Sequence, residues 1–175
     1  VFYGGHRVCD DFSFEIRRGQ CLALQGRHGC GKSSVLKFIL GSGIKYEVPL
    51  DIAGGLKISY VPQDTSALSG NLNEWIRQND VEEWLFKALL RKLDFERGHF
   101  EKRLETYSEG QKKKVLIARS LCEEAHLYIW DEPLNYIDIF SRMQIEELIK
   151  EFKPTILLVE HDKTFLDAVG ADQVI

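Results

Sequence analysis

The chain has 175 residues, with 23 Lys and Arg against 27 Asp and Glu, and its formal net charge of -4 excludes a protein that coats nucleic acid through charge alone. Hydrophobic residues make up 44% and charged residues 29%, the balance of a globular domain, and no apolar run is long enough to cross a bilayer. Cys9, Cys21, Cys30 and Cys122 form no CxxC pair and follow no apolar leader, so they are expected to be buried, reduced thiols of a cytoplasmic protein. The chain opens on Val1-Phe2-Tyr3 and stops inside the apolar piece Val174-Ile175, and is expected to be excised from something longer.

In chain order, Phe12 to Ile16 alternates apolar and polar residues, which predicts a half-buried strand, and Arg18-Gly19 turns into the apolar run Cys21 to Leu24, a buried strand. Gly26-Arg27-His28-Gly29-Cys30-Gly31-Lys32-Ser33 fits GxxxxGK[ST] between that strand and a helix whose apolar residues Val35, Phe38 and Ile39 recur until Gly41. The glycines let backbone N–H groups converge, and the helix start adds partial positive charge, so the loop cradles phosphate oxygens. Lys32 is expected to reach the terminal phosphates, Ser33 to offer a hard oxygen to Mg²⁺, and Ser34 to join the ATP-binding set. A glycine turn with a chance lysine is the plainer reading, and the agreement of strand, spacing and helix decides against it.

Tyr46 to Ile52 and Leu56 to Val61 predict two strands joined at Ala53-Gly54-Gly55, with Pro62-Gln63 closing the second. From Asn71 to Leu104 helical spacing takes over at Trp75-Ile76, Trp84-Leu85, Ala88-Leu89 and Leu93, and both tryptophans are expected in a small core. The expected organisation is one domain over 1–175, with a core of 1–65 and 105–175 and a helical lobe at about 66–104. Strands at Leu127 to Trp130 and Thr155 to Val159 flank a helix from Ile139 to Lys150 with Ile145, Leu148 and Ile149 on its apolar face. The expected fold is α/β, a P-loop core with a mainly parallel sheet, an antiparallel β subdomain and the helical lobe. Asp131 and Glu132 end an apolar strand at the sheet's carboxyl edge, which assigns Asp131 to the metal and Glu132 to the attacking water.

Tyr107-Ser108-Glu109-Gly110-Gln111, ahead of a helix from Lys112 to Leu121, resembles the LSGGQ signature of ATP-binding cassette proteins. The resemblance implies that Ser108 and Gly110, with Glu109 and Gln111, serve ATP held by a second cassette in a head-to-tail sandwich. It further implies that Gln63 contacts Mg²⁺ or water and couples to the helical lobe, that Asp138 bridges to the partner, that His161 holds the terminal phosphate and that Tyr3 stacks on adenine. His28 stands where the family often has asparagine, and Glu109 replaces the first signature glycine. A carboxylate near a phosphate is unfavourable unless it points away, so slow hydrolysis is expected at the site this signature completes.

Glu132-Pro133-Leu134-Asn135-Tyr136-Ile137-Asp138 and His161-Asp162-Lys163-Thr164-Phe165-Leu166-Asp167 look like the EPTNHLD and HDRxFLD stretches of subfamily F, and Tyr3-Gly4-Gly5-His6-Arg7 is similar to its YGG opening. That likeness implies the second cassette of a cytoplasmic, ribosome-acting protein of the antibiotic-resistance branch, with ATP and Mg²⁺ as cofactors, weak turnover by the domain alone and no direct DNA binding. Lys112-Lys113-Lys114 reads as a solvated helix face rather than an RNA contact. The alternatives are the ATPase subunit of a membrane transporter, a chromosome or DNA-repair ATPase, for which no heptad run is present, and a noncatalytic nucleotide-gated clamp.

Overall fold

The computed structural model describes residues 2–3, 6–7, 14–26, 31–41 and 54–174. In chain order these form β1 (Phe2–Tyr3), β2 (His6–Arg7), β3 (Cys21–Leu24), α1 (Lys32–Ile39), β4 (Ile58–Val61), α2 (Leu72–Gln78), α3 (Glu83–Lys92), two 3-10 turns (Arg97–His99 and Leu104–Thr106), α4 (Glu109–Cys122), β5 (Leu127–Asp131), α5 (Ile139–Phe152), β6 (Ile156–Val159), α6 (Lys163–Ala168) and β7 (Asp172–Val174). β1 and β2 pair antiparallel. The other five strands make one parallel sheet in the order β4-β5-β6-β3-β7.

Strands covered on both faces carry apolar residues without alternation, as Ile156-Leu157-Leu158-Val159 does, all four buried. Their side chains still divide by face. Leu22, Leu24, Leu127, Ile129, Leu157 and Val159 pack with Val35 and Leu36 of α1. Ala23, Val61, Trp130, Ile156 and Leu158 pack in the larger core with α2 to α5. That core holds a closed polar knot: Ser120 of α4 shares a hydrogen bond with Ser59 of β4 at 2.7 Å and accepts from the Trp130 indole of β5 at 2.9 Å. Each buried polar atom there has a partner, so internal hydrogen bonds offset the desolvation cost while the knot fixes the helix on the sheet.

Several expectations change. Phe14 to Arg17 keeps the half-buried, exposed alternation but joins no ladder, and Phe12 and Ser13 lie outside the described residues. Tyr46 to Ile52 also lies outside them. Only Ile58–Val61 of the following segment is strand, and its neighbour is β5, in parallel. Trp75 is buried and meets Phe86 with ring centroids 6.0 Å apart. Trp84, in contrast, is 68% exposed. The buried face of α3 carries Phe86, Leu89 and Leu90, continued by the C-cap Leu93, an i, i+3, i+4, i+7 stripe that turns position 84 to the opposite side. Cys21 and Cys122 are half-buried free thiols that burial pushes up to about 12, far from reactivity, while Cys9 and Cys30 are outside the described residues.

α5 starts at an Asp138 cap, whose carboxylate accepts from the Ser141 N–H at 2.8 Å and the Ser141 hydroxyl at 2.8 Å and pairs with Lys114 at 2.7 Å. Partial burial opposes ionisation, but the Lys114 ammonium and the Ser141 donors outweigh it and hold the carboxyl at about 2 against an ordinary 3.8. A depressed folded-state pKa gives stability that is complete above the ordinary value and lost as pH falls toward the folded one. We therefore predict that Asp138→Asn shows a shallower loss of melting temperature than the parent between about pH 4 and pH 2. In urea unfolding, Phe86→Ala is expected to cost about 3–5 kcal/mol. Trp84→Ala is expected to stay within about 0.5 kcal/mol of the parent.

Candidate functional site

The parallel register brings the ends of the strands level. Asp131 pairs with Val159, Val159 with Leu24, and Leu24 with Val174, while Val61 sits one step back beside Trp130. The residues that follow each strand therefore converge on one edge: Gln63 after β4, Glu132 after β5, Glu160 and His161 after β6, and Gly26 after β3. This is the edge at which open α/β sheets bind ligands.

On the glycine loop, Gly31 caps α1 at φ 99, a left-handed conformation that an L side chain would oppose. The Lys32 ammonium donates to the Gly26 carbonyl at 2.7 Å. Ser33, exposed, and Ser34, half-buried, follow on the first helical turn. Arg27, His28, Gly29 and Cys30 lie outside the described residues, and of Tyr3 only the backbone in β1 is described.

Asp131 is 5% exposed, and burial, with Glu132 beside it, pushes its carboxyl above the ordinary value, against the pull of Lys113 and Lys32. Glu132 takes φ 47, rare for a side-chain-bearing residue, as its N–H donates to the Val159 carbonyl at 2.9 Å. Its Oε2 accepts from the Gln63 amide at 2.8 Å and from the Asn135 amide. The subfamily F likeness gives Asn135 no role of its own, and Glu160 lies outside its quoted stretches. The Glu160 carboxylate, 6% exposed, accepts from the backbone N–H of His161 at 2.7 Å, of Asp162 at 3.2 Å and of Leu134 at 3.3 Å, tying the loop after β6 to the loop after β5. An acid ending the wholly apolar run Ile156 to Val159 was the available signal.

Ser108 and Gln111 form a capping box at the start of α4: the serine hydroxyl accepts from the Gln111 N–H at 3.2 Å, and the Gln111 side chain accepts from the Ser108 N–H at 3.0 Å. Accepting that bond leaves the hydroxyl its own proton to donate outward. Gly110 is required sterically, since a Cβ there would stand 2.2 Å from the Tyr136 carbonyl oxygen. Glu109 does not stand alone. Its carboxylate accepts from the Thr65 hydroxyl and pairs with Lys112 at 2.9 Å, and these two donors hold it below the usual carboxylate range. Both partners lie within this chain, so the carboxylate is directed at Thr65 and Lys112.

The lysine run is also corrected. Lys113 is 1% exposed and Lys114 7% exposed, so the run is neither a solvated face nor an RNA contact. Val115, Leu116, Ile117 and Ala118 are all buried, and a helix enclosed on every side draws the preceding lysines inward, where carbonyl oxygens and acids receive them. Asp138 is engaged within the chain by Lys114 and Ser141, with its side chain 47% exposed. Among the described residues, no helix is long and apolar enough to cross a membrane.

Comparison with known proteins gives the family. The model of the family described as "ABC transporter" matches residues 9–135. The ATP-binding protein Uup of Buchnera aphidicola is 33% identical over 91% of this chain and 28% of its own length. The ribosome protection protein VmlR of Bacillus subtilis is 29% identical over 94% of this chain and 30% of its own. The zinc import ATP-binding protein ZnuC of Wigglesworthia glossinidia brevipalpis is 31% identical over 93% of this chain and 73% of its own. Among solved structures, the archaeal ribosome recycling factor aABCE1, in complex with the ribosomal stalk protein aP1, matches with a TM-score of 0.72 and 25% identity over 88% of this chain and 31% of that one. The chain spans less than a third of the length of the first curated relatives it matches, 28% and 30%. With a family model over most of its length and the parallel α/β sheet that the glycine loop and signature imply, the chain belongs to the ABC transporter family, as an ATP-binding cassette ATPase domain that resembles subfamily F.

Proposed function

We propose that this single cassette domain holds ATP on the loop from Gly26 to Ser34 and hydrolyses it with Glu132, as one half of a head-to-tail sandwich with a second cassette. The observation that carries this reading is the Gln63 to Glu132 hydrogen bond of 2.8 Å, at the sheet edge where the glycine loop begins. In it the Glu132 carboxylate takes a proton from water as the water oxygen bonds the terminal phosphorus and the bond to the ADP oxygen breaks. Lys32 and the N-terminus of α1 steady the phosphates, and His161, backed by Glu160, meets the terminal one. The described donors, the Ser33 hydroxyl, the Asp131 carboxylate and the Gln63 amide oxygen, are hard oxygens of the kind Mg²⁺ selects. Bound there, Mg²⁺ would neutralise phosphate charge. Ser108, with its outward proton, would serve the terminal phosphate on the second cassette, with Asp138 on the same face. Tyr3 would stack on adenine.

The similarity to VmlR and to the archaeal recycling factor supports a cytoplasmic role on the ribosome. A second reading, the ATPase subunit of a membrane importer, is supported by the match to ZnuC over most of that protein's length. ATPase assays of the full natural protein separate them. Stimulation by ribosomes supports the first, stimulation only by a solubilised membrane partner supports the second, and stimulation by DNA supports neither. We further predict that Glu132→Gln retains ATP binding while turnover falls by about 10²–10⁴-fold, since the amide keeps the shape and loses the base. Turnover near the parent's would move the base elsewhere.

A further inference from the structure

The side of α4 that carries Glu109 and Lys113 grips one short turn. These residues stand four apart on a helix, so both face the same neighbour. Glu109 receives the hydroxyl of Thr65, which is 3% exposed. Lys113, one turn further on, donates to the Pro62 carbonyl at 2.8 Å and the Gln63 carbonyl at 3.1 Å. Three of four consecutive residues, Pro62, Gln63 and Thr65, are thereby tied to α4, while the Gln63 amide remains directed at Glu132. The buried ammonium costs desolvation, which lowers the Lys113 pKa, and the charges of Asp131, Glu132, Glu109 and Glu160 offset it.

We propose that Glu109 and Lys113 are positioning residues that clamp the turn at Gln63 to the signature helix, so that the amide is held on Glu132 and Ser108 shifts only together with that turn. The proposal rests on the reading of Glu132 and Gln63 as hydrolytic residues. It gives Glu109 a role opposite to electrostatic obstruction: the carboxylate that departs from the signature glycine makes a contact that glycine lacks. Of the two clamp residues, Glu109 is the better probe, because removing Lys113 also strips a charge from the acids around it.

The test is a double-mutant cycle in the full natural protein, following kcat and KM for ATP. Glu109→Ala and Thr65→Val should each lower kcat by about threefold to tenfold with KM nearly unchanged, and the double variant should be no worse than either single one. Thr65→Ser, which keeps the hydroxyl, should recover most of what Thr65→Val loses, and Glu109→Gln, which keeps the shape, should lose less than Glu109→Ala. Hydrogen exchange without nucleotide gives a readout independent of hydrolysis: amides at 63–68 should exchange faster in Glu109→Ala, with the melting temperature monitored alongside. Multiplying effects in the double variant, equal damage from Thr65→Ser and Thr65→Val, faster turnover in Glu109→Gly, or unchanged exchange at 63–68 would each overturn the clamp. If Glu132→Gln retains turnover, the hydrolytic reading fails, while the exchange data still judge the clamp.

Discussion

The pairing of Asp131 with Val159 and of Val159 with Leu24 is the constraint on which the rest of the molecule depends. Parallel strands in this register finish at one height, and the next residue of each becomes part of a single rim. A shift of one residue in β5 would bury Glu132 in place of Asp131 and turn every side chain of that strand to the wrong face. The two apolar clusters, one against α1 and one against α2 to α5, oppose such a slip, because each strand alternates its residues between them.

α4 is the second fixed part. Its middle is enclosed, its Ser120 joins β4 to β5, and its first turn carries the signature against the Tyr136 backbone. One rigid helix thus connects the buried sheet with an exposed serine at its tip. Lys114 and Asp138 extend the same body to the start of α5.

Much of this was legible in the residues. The apolar runs Cys21–Leu24, Leu127–Trp130 and Ile156–Val159 are too short for helices and fall in strands, and the glycine loop announced the helix after it. The side to which an exposed-looking residue turns was not legible. Lys113 faces inward because the carbonyls that receive it belong to a turn 50 positions away, whereas the outward turn of Trp84 follows from the local stripe Phe86, Leu89, Leu90 and Leu93. The roles of Glu160 and Asn135 lie in backbone N–H groups and in a carboxylate that only the folded loops bring near. Thr65 is a plain hydroxyl in a loop until Glu109, 44 positions away, arrives beside it.

The left-handed backbone of Glu132 sets two demands against each other at one position. An L side chain in that conformation costs about 1–2 kcal/mol, which glycine escapes and asparagine partly escapes. The bonds that the Glu132 carboxylate accepts from the Gln63 and Asn135 amides work against that cost. Glycine at this position would relieve the backbone and remove the acceptor that ties the loop after β4 to the loop after β5, so ease of the chain and cohesion of the rim pull in opposite directions at one residue.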